Sequence, residues 1–172
     1  MDFVKAPGRV HEADMERMMT EYGDSILRMC FVYLQDMSLA EDAMQEVFLK
    51  TYRQYASFRQ ESSEKTWVMR IAINTCKDMR RTAWFRKVDR SVTLDMVPEA
   101  RYEYDPADDT LITEIMKLPD KLKEVVLLKY YQGLSFQEIA EALQIPLGTA
   151  STRINAAKTK LRTKLERWYF DE

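Results

Sequence analysis

Cationic, amide and aromatic side chains recur together along residues 65–87 of the chain. Lysine and arginine neutralise nucleic-acid phosphates, asparagine hydrogen-bonds to base edges, and aromatic rings stack on unpaired bases. Apolar residues in the same stretch recur every three or four positions, which predicts one helix with a core-facing stripe and a polar face. That stretch therefore predicts a helical surface that binds nucleic acid. The polar residues of the face are Lys65, Arg70, Asn74, Lys77, Arg80 and Arg81.

A second set of hydrogen-bonding side chains lies near the C-terminus. Ser135 and Glu138 fit a capping box that begins a helix over Phe136–Leu143, and Pro146 fits the first position of the next helix. Two helices joined by so short a turn predict a helix-turn-helix, whose second helix enters the major groove of DNA. The outward residues of that second helix suit base edges and phosphates. They are Thr149, Ser151, Thr152, Arg153, Asn155 and Lys158.

The charge distribution agrees with these two surfaces. The formal net charge of 172 residues is only −2, which excludes a protein that binds nucleic acid through its overall charge. Residues 65–90 nevertheless carry a net +6 and residues 121–172 a net +3, whereas residues 1–64 carry −5 and residues 91–120 carry −6. The two basic segments are the ones that hold the predicted nucleic-acid surfaces.

The distribution of glycine and proline predicts the fold class. Neither residue occurs between Gly23 and Pro98, so turn-rich β structure is disfavoured and helices are favoured. Proline-bearing sequence then interrupts the helical periodicity. We predict an all-α protein of two small helical domains joined by a flexible acidic linker. These are an N-terminal helical bundle (1–90), the acidic linker (91–110) and a C-terminal helix-turn-helix domain (111–172).

Three apolar stripes predict the helices of the N-terminal bundle, and most of their residues are expected to pack in its core. The middle helix is predicted to begin with Ser38 as its N-cap, which places Glu41 and Asp42 in the first turn, near the positive end of the helix dipole.

The scarcity of cysteine and histidine excludes other classes of protein. The two cysteines, Cys30 and Cys76, and the single histidine, His11, cannot complete a four-ligand zinc site, and we expect both cysteines to be small buried residues. A carboxylate-metal hydrolase built on Glu41, Asp42 and Glu46 is disfavoured, since helical di-metal sites use Glu-x-x-His pairs. We expect no catalytic residues, metal or cofactor. The longest apolar run is six residues and the N-terminus lacks an apolar signal core, so we expect a cytoplasmic protein.

Two motifs resemble a known family. The segment 40–52, AEDAMQEVFLKTY, and the segment 66–78, TWVMRIAINTCKD, together with the helix-turn-helix, resemble the extracytoplasmic-function (ECF) sigma factors of bacterial RNA polymerase, which have only sigma regions two and four. The resemblance implies a non-catalytic initiation subunit with no small-molecule substrate. Its partners would be core RNA polymerase, through the largest-subunit clamp helices and the beta flap, and promoter DNA. It also implies an anti-sigma factor, which in this family is often membrane-bound.

The resemblance also implies roles for individual residues. The residues that match the core-polymerase-binding region are Asp42, Gln45, Glu46, Phe48 and Leu49. Those that match the region binding the melted minus-ten element, with its pocket for a flipped base, are Phe58, Arg59, Lys65, Trp67, Arg70, Asn74, Lys77 and Arg81. The helix-turn-helix residues from Thr149 to Lys158 named above match the reader of the minus-thirty-five element. Gln144 departs from the family, in which glycine is common at that turn.

Two further alternatives stay open. One is a helix-turn-helix regulator that acts without docking on core polymerase and uses its N-terminal half for dimerisation or sensing. It does not account for the basic helix that carries Asn74 and Trp67. The other is a protein-interaction adaptor, which the outward Thr, Ser, Arg and Asn residues of the last helix disfavour.

Overall fold

The computed structural model describes residues 12–82 and 106–170, and within these ranges the regular elements are all helical. The N-terminal group comprises α1 (Glu12–Leu34), α2 (Met37–Gln54), a 3-10 turn (Tyr55–Ser57) and α3 (Glu64–Arg81). The C-terminal group comprises α4 (Pro106–Met116), α5 (Asp120–Val126), a π-helical turn (Leu127–Tyr131), α6 (Phe136–Leu143) and α7 (Leu147–Phe170). The predicted all-α fold with two helical groups is confirmed. His11, the aromatics Trp84 and Phe85, and residues 91–105 of the predicted linker lie outside the described residues.

The three long helices of the N-terminal group pack around one apolar core. Most residues of their predicted stripes are buried or half-buried, with one face of each helix directed at the other two. Tyr52, which the stripe of α2 included, is instead 57% exposed. Cys30 on α1 and Cys76 on α3 are free thiols with no exposed surface, and their Sγ atoms lie 3.4 Å apart. The hydrogen bond with Cys30, followed by burial, raises the pKa of Cys76 well above its ordinary value. Both cysteines therefore act as small core residues, as predicted.

Helix α2 begins earlier than the sequence predicts. Its N-cap is Asp36, whose backbone is extended and whose carboxylate accepts a 2.8 Å hydrogen bond from the Leu39 amide. Ser38 lies inside the helix and is exposed, so its prediction as the N-cap was wrong. Glu41 and Asp42 accordingly lie beyond the first turn. Both Asp and Ser are good N-caps, and here the chain turns into the helix at the first of the two.

The predicted helix-turn-helix is confirmed in its local geometry. Helix α6 spans the predicted residues, and both hydrogen bonds of the Ser135–Glu138 capping box are present. Gln144 takes the left-handed conformation at φ 53°, which explains why glycine suits this turn. Pro146 precedes α7 instead of starting it, and its carbonyl accepts bonds from the amides of Thr149 and Ala150.

Helix α4 begins within the segment assigned to the linker. Pro106 is its first residue, a position where the fixed φ of proline is favourable and its missing N–H is not needed. Residues 106–110 are therefore helical. Among the described helices, none is long and apolar enough to cross a membrane.

The two helical groups pack against each other. Helix α6 lies along α3, and α1 contacts α4, α5 and the π-helical turn. Gln35 after α1 donates a 2.8 Å hydrogen bond to the Met116 carbonyl, and Gln132 donates one of 3.0 Å to the Ser25 carbonyl. The sequence indicated two separable domains and gave no sign of this contact.

The N-cap of α2 can be tested by paired substitutions. Asp36→Ala should lower the free energy of unfolding by about 1 kcal/mol, because the N-cap acceptor is lost. Asp36→Asn should keep most of the wild-type stability, because asparagine is also a good N-cap. Ser38→Ala should change stability little, since that side chain is exposed within the helix. Urea unfolding followed by circular dichroism measures all three, and a larger loss for Ser38→Ala than for Asp36→Ala would contradict the structure.

Candidate nucleic-acid interface

Helix α3 presents one cationic face opposite its buried face. Ser63 caps its start by accepting a 3.1 Å hydrogen bond from the Thr66 amide. Val68, Ala72 and Cys76 are buried against the bundle. Spacing of three and four then places Arg70, Asn74, Lys77 and Arg81 on the remaining face, with Asn74 and Arg81 exposed and the other two half-buried. The structure thus brings these predicted minus-ten residues together on one surface.

An aromatic cleft lies at the start of this face. The Phe58 and Trp67 rings stack with centroids 4.7 Å apart and planes 25° apart, and Tyr55 meets Trp67 edge-on at 6.0 Å. The cleft has a volume of about 340 Å³, at the small end of the range for ligand pockets. Half-buried aromatic rings beside cations suit an unpaired base and its phosphates. The residues lining it are Ser57, Phe58, Arg59, Glu61, Ser62, Trp67, Arg70 and Glu141.

A carboxylate that the sequence did not single out anchors this cleft. Arg17 Nη2 donates to both carboxylate oxygens of Glu64, at 2.8 and 2.9 Å, and the hydroxyls of Tyr22 and Tyr55 each donate to it at 3.3 Å. Burial, with the charge of Glu64 adding to it, raises the pKa of both tyrosines, so they remain hydroxyl donors. The network ties the Tyr55 end of the loop to α1 and α3. Its partners are far apart in sequence, so no local pattern could have predicted it.

The residues matched to polymerase docking divide into two groups. Asp42 and Gln45 are exposed on α2, Glu46 is half-buried, and Leu49 is 42% exposed although it is apolar. Phe48 is only 6% exposed and packs in the core of the bundle. An exposed leucine beside acidic and amide groups is a surface suited to another protein. Tyr52, 57% exposed one turn further on, extends it and was missed because its spacing also fits the core stripe.

The polar face predicted for α7 is present in the structure. Ala150, Ile154 and Ala157 are buried, which directs the polar residues outward. Asn155, Lys158 and Thr152 are exposed, and Thr149, Ser151 and Arg153 are half-buried. The Thr152 hydroxyl donates a 2.8 Å hydrogen bond to the Gly148 carbonyl. Its remaining lone pairs are free to accept.

Within residues 12–82 and 106–170, no three His, Cys, Asp or Glu side chains are close enough together to hold a metal ion. The surfaces described above contain cations, amides and aromatic rings, and the carboxylate residues Glu61 and Glu141 also line the cleft.

Comparison with known proteins identifies the family. A family model for Sigma-70 region 2 matches residues 18–86, and one for Sigma-70 region 4 matches residues 108–161. The ECF RNA polymerase sigma factor SigW of Bacillus subtilis is 34% identical over 158 residues, covering 84% of this chain and 84% of SigW. The RNA polymerase sigma-H factor of Pseudomonas aeruginosa is 30% identical over 175 residues, covering 92% of this chain and 91% of its own. The chain belongs to the ECF sigma factors.

The fold agrees with that membership. The sigma factor RpoE of Bartonella quintana, solved in complex with the anti-sigma factor NepR, superposes with a TM-score of 0.74 at 20% identity, covering 89% of this chain and 97% of RpoE. At such low identity this likeness shows the fold alone. The family resemblance drawn from the two motifs is confirmed, and the chain is an alternative sigma factor that directs transcription initiation by RNA polymerase.

One carboxylate gives this sigma factor a testable pH dependence. The Ser135 amide, and then the hydroxyls of Ser135, Thr66 and Ser63, lower the pKa of Glu138 below its ordinary value of 4.5. A lowered folded-state pKa stabilises the fold above the unfolded value, and this stabilisation is lost as the pH falls through the folded value. Glu138→Gln should therefore be less stable than the wild type at pH 7, and the difference should shrink in acid.

Urea unfolding at a series of pH values from neutrality to below 4.5 measures this difference. Glu16→Gln is the matched control, because Glu16 is an exposed carboxylate on α1. A difference between wild type and Glu138→Gln that stays constant across the series would contradict the assignment.

Proposed function

We propose that the α3 face and the Phe58–Trp67 cleft of this sigma factor bind the melted minus-ten element. The observation that supports this proposal most directly is that an aromatic cleft of base size opens onto a row of cations and one exposed amide. Duplex DNA has no unpaired base to offer such a cleft, whereas a melted strand offers both bases and phosphates. Flipping a base costs a few kcal/mol, and stacking in the cleft offsets that cost so that melting is favoured. The residues assigned to this role are Phe58, Arg59, Lys65, Trp67, Arg70, Asn74, Lys77 and Arg81.

We assign core-polymerase docking to the outer face of α2. Asp42, Gln45, Glu46 and Leu49 would contact the clamp helices of the largest subunit. Phe48 would hold that face in position from the core, since it is buried. The exposed leucine supports an apolar contact rimmed by polar ones, as is usual at protein interfaces.

We assign minus-thirty-five recognition to α7, through Thr149, Ser151, Thr152, Arg153, Asn155 and Lys158. The C-terminal domain, residues 111–172, would also contact the beta flap of the polymerase. Residues 1–90 remain the proposed N-terminal domain and residues 91–110 the proposed acidic linker, the last five of which belong to α4. A regulator acting without polymerase would need neither the aromatic cleft nor the outer face of α2.

The proposed mechanism is binding without covalent chemistry, so the chain is a non-catalytic subunit with no cofactor and no small-molecule substrate. It would act in the cytoplasm, where polymerase and promoter DNA are found. We expect an anti-sigma factor, in this family often membrane-bound, to hold it inactive. The support is that RpoE, a protein of this fold, was solved in complex with the anti-sigma factor NepR. CnrH, another protein of this fold, was solved in complex with the cytosolic domain of CnrY.

The function is tested by run-off transcription with reconstituted holoenzyme on fragmented genomic DNA, followed by sequencing of the transcripts. We expect discrete start sites that share a minus-ten and a minus-thirty-five element. Core polymerase alone is the control. The absence of specific start sites above that control would contradict the proposal.

Two asparagines of the chain offer a matched pair of substitutions. Asn74→Ala should reduce open-complex formation by about tenfold, the size of one lost base contact of about 1–3 kcal/mol, with little effect on the closed complex. Asn155→Ala should instead weaken the closed complex, because α7 binds duplex DNA. Permanganate reactivity of unpaired thymines measures opening, and gel shift at low temperature measures closed binding. Equal effects of both substitutions on both steps would refute this division.

A further inference from the structure

We propose that Cys30 and Cys76 are a redox-sensitive pair, which a hydroperoxide joins in a reversible disulfide that cross-links α1 to α3 and displaces the cationic face of α3. These two residues are the only cysteines of the chain. The inference rests on the proposed role of the α3 face and extends it by naming a covalent modification site beneath that face. The distance between the two sulfurs, the packing around them and their place on α3 support it.

The two sulfurs are close enough to react with each other. Sγ of Cys30 and Sγ of Cys76 lie 3.4 Å apart, although the residues are 46 positions apart in sequence. Both are free thiols, and the Cys76 thiol donates its hydrogen to the Cys30 sulfur. A disulfide bond is about 2.05 Å long, so the two atoms need to approach by only about 1.4 Å. The packing of α1 against α3 has therefore placed the two thiols in position for a disulfide.

A hydroperoxide is the class of oxidant that suits a pair with no exposed surface. Both thiols are fully buried, and hydrogen peroxide is little larger than water, so small local openings of the bundle admit it. One thiol, as its thiolate, attacks a peroxide oxygen and becomes a sulfenic acid, and the displaced hydroxide takes a proton and leaves as water. The other thiol attacks the sulfenic sulfur, which forms the S–S bond and releases a second water. Two thiols thus lose two electrons and two protons, and one peroxide becomes two waters.

The surroundings of the pair make the first step slow and the second step fast. The hydrogen bond with Cys30, followed by burial, raises the pKa of Cys76 well above its ordinary value. Little Cys76 thiolate therefore exists at neutral pH, and the thiolate is the form that reacts. Oxidation of Cys76 is accordingly slow and accelerates as the pH rises. The second step joins two groups already held in contact, so it outruns further oxidation of the sulfenic acid.

Closing the disulfide moves α3 more than α1. Every residue of α1 from Met29 to Leu34 is buried, and α1 contacts α2, α3, α4 and α5, so its movement would disturb several neighbours. Helix α3 instead has solvent on its outer side at Asn74, which is exposed. Ile73 and Thr75 are buried on either side of that residue, so rotation of the Cys76 side chain among them takes up little of the shift.

The displaced part of α3 holds proposed minus-ten contacts. Asn74 precedes Cys76 by two residues, and Lys77 follows it directly. A misplacement of about 1 Å in a group that must be positioned can lower a rate by as much as about a hundredfold. The outer face of α2 contains neither cysteine, so its contacts with core polymerase are retained. Oxidation therefore weakens promoter opening and leaves docking on core polymerase unchanged.

The modification is reversible. In the cytoplasm, where we propose that the chain acts, disulfides are rare, and those that form are usually transient and either catalytic or redox-sensing. A dithiol reductant returns the pair to thiols by exchange. One of its sulfurs attacks the disulfide, and its second sulfur resolves the mixed disulfide and leaves with the first as an oxidised dithiol. A peroxide thus turns the sigma factor off, and a dithiol turns it on again.

The first measurement tests whether the disulfide forms. The full-length wild type is treated with hydrogen peroxide, the peroxide is destroyed with catalase, and the remaining thiols are alkylated with N-ethylmaleimide in urea. Mass spectrometry of the intact chain should find two alkylated thiols before oxidation and none after it, with the loss of two hydrogen atoms. A non-reducing gel should show no cross-linked dimer. The matched controls are Cys30→Ala and Cys76→Ala, in which no intramolecular disulfide can form.

The second measurement tests the effect on function. Reduced and oxidised wild-type chains are each assembled with untreated core polymerase on a promoter found by run-off sequencing. Permanganate reactivity should show about tenfold less opening with the oxidised chain, within the loss that a small misplacement causes. Native gel shift should show equal binding to core polymerase. Dithiothreitol added to the oxidised chain before assembly should restore opening.

Two further comparisons separate the disulfide from other effects. Comparing the wild type with itself keeps the test independent of whether the alanine variants fold. The chain also has 11 methionines, and dithiothreitol does not reverse their oxidation. Opening by the Cys30→Ala chain should therefore be the same before and after peroxide.

Three results would overturn the inference. They are two alkylated thiols after peroxide, a disulfide that leaves promoter opening unchanged, and a loss of opening that the Cys30→Ala chain shares. Each of them leaves the proposed function intact, because the reduced wild type still opens the promoter. A reduced wild type that opens no promoter would instead contradict the proposed function.

Discussion

The two-sided character of α3 is the constraint on which the rest of the structure depends. One face, which includes Val68, Ala72 and Cys76, is buried against α1 and α2, and this burial fixes which residues remain outside. The remaining residues form a row of cations with Asn74 among them. A helix held only by its polar face could rotate about its own axis, whereas a buried apolar stripe fixes that rotation. The packing of the bundle therefore sets the orientation of the residues that we propose bind DNA.

The contacts at the start of α3 explain how the loop that follows α2 forms one wall of the cleft. Glu64 in the first turn accepts from Arg17, Tyr22 and Tyr55, so the chain leaving α2 is tied to the start of α3. Phe58 then stacks on Trp67 at the mouth of the cationic row. Packing and anchoring thus position the cationic row that we propose binds DNA.

The structure also shows where part of the negative charge lies that makes the net charge nearly neutral. Glu124 and Asp120 neutralise Lys77 and Arg80 across the domain boundary, so part of the acidic excess lies directly against the basic face. Of these four side chains only Glu124 is nearly buried, so removing Lys77 alone would leave a poorly solvated charge without its ion-pair partner.

Much of this molecule could be predicted from its sequence, for reasons that particular residues make clear. The capping box of Ser135 and Glu138 is local, so the bounds of α6 were predicted correctly. The start of α2 was not, because Asp36 and Ser38 are both good caps and only the backbone conformation distinguishes them. A spacing of three and four does not separate core from surface at the edge of a stripe, which is why Tyr52 was placed in the core stripe of α2 although it is 57% exposed. Phe48 fits that stripe as well, and only the family resemblance assigned it to polymerase docking.

Contacts between the domains could not be predicted at all. Lys77 with Glu124 and Thr66 with Glu138 join residues that are far apart in sequence, and no periodicity relates them. Each of these residues also has a complete local explanation, as a solvated cation, a cap or a helix-surface carboxylate. Only the tertiary structure shows that the same groups serve a second purpose.

The most direct test of the central claim, that α3 and its cleft hold the melted minus-ten strand, is site-specific photocrosslinking in the assembled open complex. Benzoylphenylalanine replaces Phe58 in holoenzyme bound to a promoter found by run-off sequencing, and the crosslinked base is mapped on each strand. The account predicts a crosslink to one non-template base within the minus-ten element, present only when the promoter is open. A crosslink to duplex DNA, or to the template strand, would contradict it.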